Sequence, residues 1–304
     1  MKKILIDTDC GVDDAIAIMM ALASPAEISV LGITTVCGNV ALEKVVDNVL
    51  RLLSFLGRMD IPVFRGASRP LVEPPRHAPD VHGANGLGGV ELPPPRISEQ
   101  RERAPQGIAR LARENPGLTL LTLGPLTNIA IAFTIYPELK GQIAEIVTMG
   151  GAIETGNVTQ FAEFNFHSDP EAVQSVLDAG LPFFLLPWDA TVRVAHTEAE
   201  LEALGLRTSA SGRLVLDLQQ TVFGFVEKTR GARVTMLPDP LTAAWLIEPA
   251  IAGRLLETGL RMELGQNALR GACITRRGSG VKLIQDIDKS GFDRILSRVI
   301  ALKR

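Results

Sequence analysis

The sequence predicts an α/β protein with an open, mainly parallel, Rossmann-like sheet, helices on both of its faces, and an inserted helical segment. Three observations carry that prediction. Apolar stretches of strand length recur, each leading through a polar or glycine-containing junction into a stretch of helix length. Hydrophobic residues make up 46% of the chain and aromatics only 5%, which suits strands covered on both faces and therefore apolar throughout. The 304 residues hold no linker, repeat or low-complexity tract, so a single domain spanning residues 1–304 with a sizeable core is expected.

Residues 3–8 form the first strand, apolar until it ends in polar residues, and residues 14–23, rich in Ala, Ile and Met, form the first helix. Residues 28–36 are the second strand, leading through "CGN" into a helix over 41–56. Residues 66–98 are too rich in Pro and Gly for a regular element, and a loop of that length suggests a lid or binding loop. Residues 118–123 are a strand leading through "GPLTNIA" into a helix that reaches 135. Strands at 143–149 and 183–186 run into "GGA" and "PWDAT". Residues 196–235 form the inserted helices, rich in Leu and Glu, ahead of "MLPDPLTAAW". Ligands of such sheets bind beyond the carboxyl ends of the strands, where Asp9, Asn39, Leu123 and Met149 all fall.

The first strand-to-helix turn is the chemically loaded one. "DTDCGVDD" places Asp7, Asp9, Asp13 and Asp14 within eight positions. Two like charges about 4 Å apart repel by about 4 kcal/mol at an effective dielectric near 20. A helix N-terminus returns only about 0.3–1 kcal/mol per carboxylate, so protons or a cation must supply the rest. A bound divalent cation is the simplest partner, and all-oxygen donors favour calcium or magnesium over zinc. Gly11 is expected to give the turn a conformation closed to other residues. The plainer alternative is a solvated capping turn.

Composition excludes several classes. A net charge of −3 without a long Lys/Arg run offers no electrostatic reason for a nucleic-acid or membrane partner. "MKKILIDTD" is charged too early for a signal peptide, and no apolar run spans a membrane. Cys10, Cys37 and Cys273 are odd in number and irregularly spaced, which points to a reduced, cytoplasmic protein.

"DTDCGVDDAIAI" resembles the N-terminal signature of the nucleoside hydrolases, the inosine–uridine family of ribonucleoside N-ribohydrolases. Further matches follow in family order: "TTVCGN", "VHGANGLGG", "LGPLTNIA", "TMGGA", "GNVTQFAEFNFHSDPEA" and "PDP". The resemblance implies hydrolysis of the N-glycosidic bond of ribonucleosides, giving free base and ribose, by a homodimer or homotetramer. It implies a calcium ion held by Asp9, Asp14, Asp239 and the main-chain carbonyl of Leu123, with Asp9 as general base toward the attacking water. Asn39 and Asp13 match positions that bind the ribose hydroxyls, as do Asn157, Glu163 and Asn165 in a segment walled by Phe161, Phe164 and Phe166. Amides and carboxylates suit a diol, because together they donate and accept. The "MGG" turn would bring Met149 near the ring oxygen, His82 matches a site histidine, and Phe223, Phe225 or Arg230 would cover the base. Pro240 is expected to hold Asp239 extended, and Asp169 to cap a helix opened by Pro170.

Two positions depart from the pattern. Pro238 stands where many pyrimidine-active or broad members carry a His, which suggests purine substrates, and Cys10 stands where Pro is common. His77 and His196 read as surface residues, His167 as packing, and Trp188 and Trp245 as core. A haloacid-dehalogenase-type magnesium phosphatase shares the "DTD" after a first strand, but has no use for "CGN" or "EFN"; a catalytically silent ribose-binding protein is the third reading.

Overall fold

The computed structural model describes residues 1–302. An eight-stranded open sheet has the order β3-β2-β1-β4-β5-β6-β10-β9. Its strands are β1 (Lys2–Thr8), β2 (Ile28–Thr35), β3 (Val63–Arg65), β4 (Leu118–Thr122), β5 (Ile143–Met149), β6 (Phe183–Leu186), β9 (Ala252–Met262) and β10 (Cys273–Ile287). All neighbours pair in parallel except β9, which closes one edge antiparallel to β10. A separate antiparallel pair joins β7 (His196–Thr197) to β8 (Val234–Thr235).

Alternation along the strands builds two apolar layers. Ile4 and Ile6 of β1 face one layer while Leu5 faces the other, and all three are fully buried. The first layer contains α1 (Val12–Leu22), α2 (Leu42–Phe55), α10 (Ala210–Arg230), α11 (Pro238–Ile247) and α12 (Lys289–Leu296). The second contains α4 (Ala104–Glu114), α5 (Thr127–Ile135) and α7 (Pro170–Leu177). Every residue of α1 is buried, Asp13 and Asp14 included, because α1 lies between the sheet and its neighbour α11. Short helices α3 (Pro79–His82), α6 (Phe164–Ser168), α8 (Trp188–Thr191) and α9 (Glu198–Ala203) complete the chain.

The strand order turns back between β1 and β4: β2 and β3 extend the sheet on one side, β4 to β6 on the other. The crevice beyond the carboxyl ends of β1 and β4 is therefore the switch point at which ligands bind in sheets of this type. Asp9 and Leu123 immediately follow those two strands. No helix among the described residues is long and apolar enough to cross a membrane.

Four expectations are corrected. Residues 66–98 are irregular but include α3, and the turn after it is bonded throughout. The Asn85 side chain accepts from Leu87 and Gly89 N–H and donates to the Val90 carbonyl, while Asn48 and Thr221 donate to the Asn85 and Gly88 carbonyls. The inserted segment carries β7 and β8 as well as helices. His196, read as a surface residue, is fully buried against Asp293 at 2.6 Å, a partner 97 positions away. Asp239 is not extended: it lies in the first turn of α11, where the N–H that proline lacks has no helical partner to lose.

Candidate functional site

The turn after β1 is held by its own hydroxyl and backbone groups. Thr8 Oγ1 donates to Asp14 Oδ1 at 2.6 Å and accepts from the Cys10 N–H at 3.0 Å; the Gly11 N–H donates to Asp14 Oδ2 at 2.8 Å. Cys10, not Gly11, takes the left-handed conformation, with φ 31°. A proline ring, which fixes φ near −65°, does not fit that backbone. Gly11 is required for space instead, because a Cβ there would lie 2.4 Å from His82 Nδ1 and 2.6 Å from Asn39 Nδ2.

Asp9 lies fully buried beneath this turn. Its Oδ2 accepts the Asn39 N–H at 2.7 Å, while Oδ1 is buried without a hydrogen-bond partner. Gly38 and Gly124 wall it in: a Cβ at either would come within 2.0 Å of Oδ2 or 2.9 Å of Oδ1. Burial, then the Asp14 charge, raises the Asp9 carboxyl well above the ordinary carboxylate range. Burial and the neighbouring carboxylates likewise raise Asp14 and Asp239, and burial alone lifts Asp13 to about 6.

One oxygen each of Asp13, Asp14 and Asp239 lies within 4.8 Å of the others. That triple contains two of the three carboxylates expected to bind a cation, with Asp13 in place of Asp9. Asp13 Oδ1 is also buried without a hydrogen-bond partner. Orphaned carboxylate oxygens, crowded acids pushed toward protonation and an all-oxygen donor set together fit a hard divalent cation, so the cluster could hold a metal ion. The Leu123 carbonyl is close by and accepts from Asn165 Nδ2 at 2.8 Å.

Above the cluster opens a cavity of about 180 Å³. Its polar lining comes from Asp13, Asn39, His82, Leu123, Asn157, Glu163, Asn165 and Asp239; Asp9 and Asp14, fully buried, do not line it. Asn39, Asn165, Glu163, Asn157 and His82 are each held by hydrogen bonds to other parts of the fold. Asn39 Nδ2 donates to Asp14 Oδ2 at 3.2 Å. Asn165 Nδ2 also reaches the Met149 carbonyl at 3.3 Å, and Met149 lines the wall. Glu163 caps α6, accepting from the N–H groups of Asn165, Phe166 and Gly151 at 2.8, 3.1 and 2.7 Å; burial nevertheless lifts its carboxyl to about 7. Asn157 Oδ1 accepts the Phe164 N–H at 2.9 Å. His82 Nδ1 accepts the Val12 N–H at 3.2 Å, which assigns the proton to Nε2, and burial lowers its pKa to about 4.

The rest of the lining is largely apolar and includes Val158, Phe164, Trp188, Val222, Phe225, Val226 and Met236, with Arg230 and Pro238. Three expectations change here. Phe223 does not cover the cavity; it is fully buried, with the Arg233 guanidinium 5.3 Å from its ring. Trp188, read as core, is a cavity wall with the Arg230 guanidinium 5.8 Å from its ring, whereas Trp245 is core, packed on Phe184 at 4.8 Å. Phe161 is exposed and Phe166 fully buried, so Phe164 alone of that group lines the cavity. His77 is exposed, and buried His167 packs with Nδ1 3.1 Å from the Arg270 carbonyl.

Residues 4–294 match the family model described as inosine-uridine preferring nucleoside hydrolase. A pyrimidine-specific ribonucleoside hydrolase of Citrobacter koseri is 36% identical over 98% of this chain and 97% of its own length. Two solved structures overlay closely, each covering 99% of both chains. A plant nucleoside hydrolase does so with a TM-score of 0.93 at 31% identity, and a purine-preferring ribonucleoside hydrolase from Gardnerella vaginalis with 0.92 at 29%.

Proposed function

From the premise that the chain belongs to the inosine-uridine preferring nucleoside hydrolase family, and is therefore a hydrolase of ribonucleoside N-glycosyl bonds, we propose that it works with calcium, with Asp9 as general base, and prefers purine nucleosides. The observation that carries the reading is the lining of one cavity: a first set of amides and carboxylates beside buried acids, and a second set of aromatic and apolar side chains. A ribose fits the first chemically and a nucleobase the second. Membership in the family removes the phosphatase and the silent ribose-binding alternatives.

Asp9, Asp14, Asp239 and the Leu123 carbonyl are the proposed calcium donors, with Asp13 adjoining them; the buried, unpartnered Asp9 Oδ1 supports its place in that set. Bound there, calcium supplies positive charge that acidifies a water and anchors the ribose diol. Asp9 takes the proton of the attacking water. Asn39, Asp13, Asn157, Glu163 and Asn165 hold the sugar hydroxyls, and their carboxylates face the oxocarbenium charge as the bond to the base breaks. Met149 packs beside the ring oxygen.

The base needs help to leave. Pro238 offers no proton, and His82 is neutral with its proton on Nε2. A purine leaves after protonation at N7, and contact with Trp188, Phe225 or Arg230 favours the protonated ring; uracil and cytosine offer no such handle. Parallel kcat/KM measurements on inosine, guanosine, adenosine, uridine and cytidine test this, with the best purine expected at least about 100-fold above either pyrimidine, the low end of what a positioned acid contributes. Uridine or cytidine cleaved as well as the best purine contradicts the proposed preference.

A further inference from the structure

Asp189 is not among the residues that line the cavity, yet three consecutive backbone N–H groups converge on its carboxylate. Ile153 donates to Oδ2 at 2.5 Å, and Glu154 and Thr155 donate to Oδ1 at 3.0 and 2.9 Å. Hydrogen bonds to an ionised acceptor are the strong ones, and a run of N–H groups turned toward one anion forms a concave seat for it.

What these bonds hold is a loop. It leaves β5, carries Asn157 and Val158 to the cavity wall, and returns at Glu163. Glu154, Thr155, Asn157, Val158, Gln160 and Phe161 are exposed, so the loop buries little apolar surface to fix its position. Its other bonds are mostly internal: Gly156 N–H to the Gln160 carbonyl, and the N–H groups of Asn157, Val158 and Thr159 to the Ala162 carbonyl. Beyond Asp189, side-chain anchorage to other elements comes from Asn157 Oδ1, which accepts the Phe164 N–H at the start of α6 at 2.9 Å, and from Arg193 and Glu154, an exposed pair at 3.8 Å that solvent screens. Asp189 directly follows Trp188, which lines the same cavity.

We infer that Asp189 is a positioning residue: its carboxylate clamps the 153–155 turn to α8 and so fixes Asn157 relative to the Trp188 wall. The inference rests on the cavity being a ribonucleoside site. Ala in place of Asp189 removes all three bonds, and Asn keeps one acceptor oxygen but turns an NH2 toward N–H donors. In either variant the loop loosens and substrate binding suffers, while the acidic cluster, built on other elements, is untouched.

The test measures Asp189→Ala and Asp189→Asn as full-length, calcium-loaded enzymes, using the ribonucleoside the unaltered enzyme cleaves best. KM is expected to rise about tenfold or more and kcat to change less than about threefold, the pattern for lost binding that ground and transition states share. Calcium affinity from direct titration stays within about twofold, because α8 supplies none of the proposed donors. In a double-mutant cycle, Asn157→Ala costs clearly less in the Asp189→Ala background than in the unaltered enzyme. An unchanged KM, or strictly additive effects, overturns the inference. Loss of folding in both variants assigns the carboxylate to stability and overturns it too. An unaltered enzyme that releases no sugar from any ribonucleoside overturns the site reading itself, and the clamp with it.

Discussion

Asp9→Asn lowers kcat by about 10²–10⁴-fold with calcium saturating, the range a positioned general base contributes, and leaves the protein folded. The side chain keeps its shape, and the amide oxygen can still accept the Asn39 N–H that now reaches Oδ2 at 2.7 Å. What is lost is the ability to take a proton. Cation binding weakens as well, because one negative charge leaves the cluster, so the comparison is made at saturating metal. Circular dichroism and thermal melting establish the fold, and steady-state assay gives kcat. Near-normal turnover by the metal-loaded variant contradicts the role.

Asp14→Asn weakens calcium binding by about 100-fold or more and lowers activity in step at limiting metal. The amide can still take the Gly11 N–H and turn its NH2 toward Thr8 Oγ1, so the capping geometry survives. Stability has the opposite sign when metal is absent. Asp14 is raised by burial and by Asp13, Asp13 stands at about 6, and Asp7 and Glu163 at about 7. Unfolded carboxyls titrate near 4, so the metal-free folded state binds protons more tightly than the unfolded chain. The cost of ionising these groups is absent below about pH 4 and accumulates as pH rises through about 6 to 7. Tm of chelated protein therefore falls over that window, less steeply for Asp14→Asn, and calcium restores it most at the alkaline end. A chelated Tm that rises with pH, or calcium affinity unchanged by the substitution, contradicts this account.

The parts legible in the sequence are those whose cause is local. Strands β1, β2, β4, β5 and β6 lie within one residue of where they were read, because a strand buried on both faces is a continuous apolar run. β3 has only three residues, too few for a pattern. β9 and β10 are exposed over much of their length and carry Arg254, Glu257, Arg276 and Arg277, so they resemble a loop until each is seen paired with the other.

The site divides the same way. Asp9, Asp13 and Asp14 stand out because they crowd one turn; Asp239 arrives only through the packing of α11 on α1. Phe223 and Phe225 look alike in sequence. On α10, however, Val222, Phe225 and Val226 share one face at helical spacing and meet the cavity, while Phe223 points into the core. Trp188 ends an apolar run as a core residue would, and only the folded chain shows it among the residues that line the cavity. The bonds from residues 153–155 to Asp189 join positions more than thirty apart and leave no signal in the sequence.

The most direct test of the ribose grip and its metal is the ratio of kcat/KM for a ribonucleoside and its 2′-deoxy counterpart, measured on chelated and then calcium-reloaded protein. Removing one hydroxyl leaves buried polar groups unpaired, at about 1–3 kcal/mol each. The expected result is sugar release only after calcium is restored, with the ribonucleoside favoured about tenfold or more, as a penalty of that size implies. Equal kcat/KM for the two substrates, or full activity in the chelated protein, contradicts it.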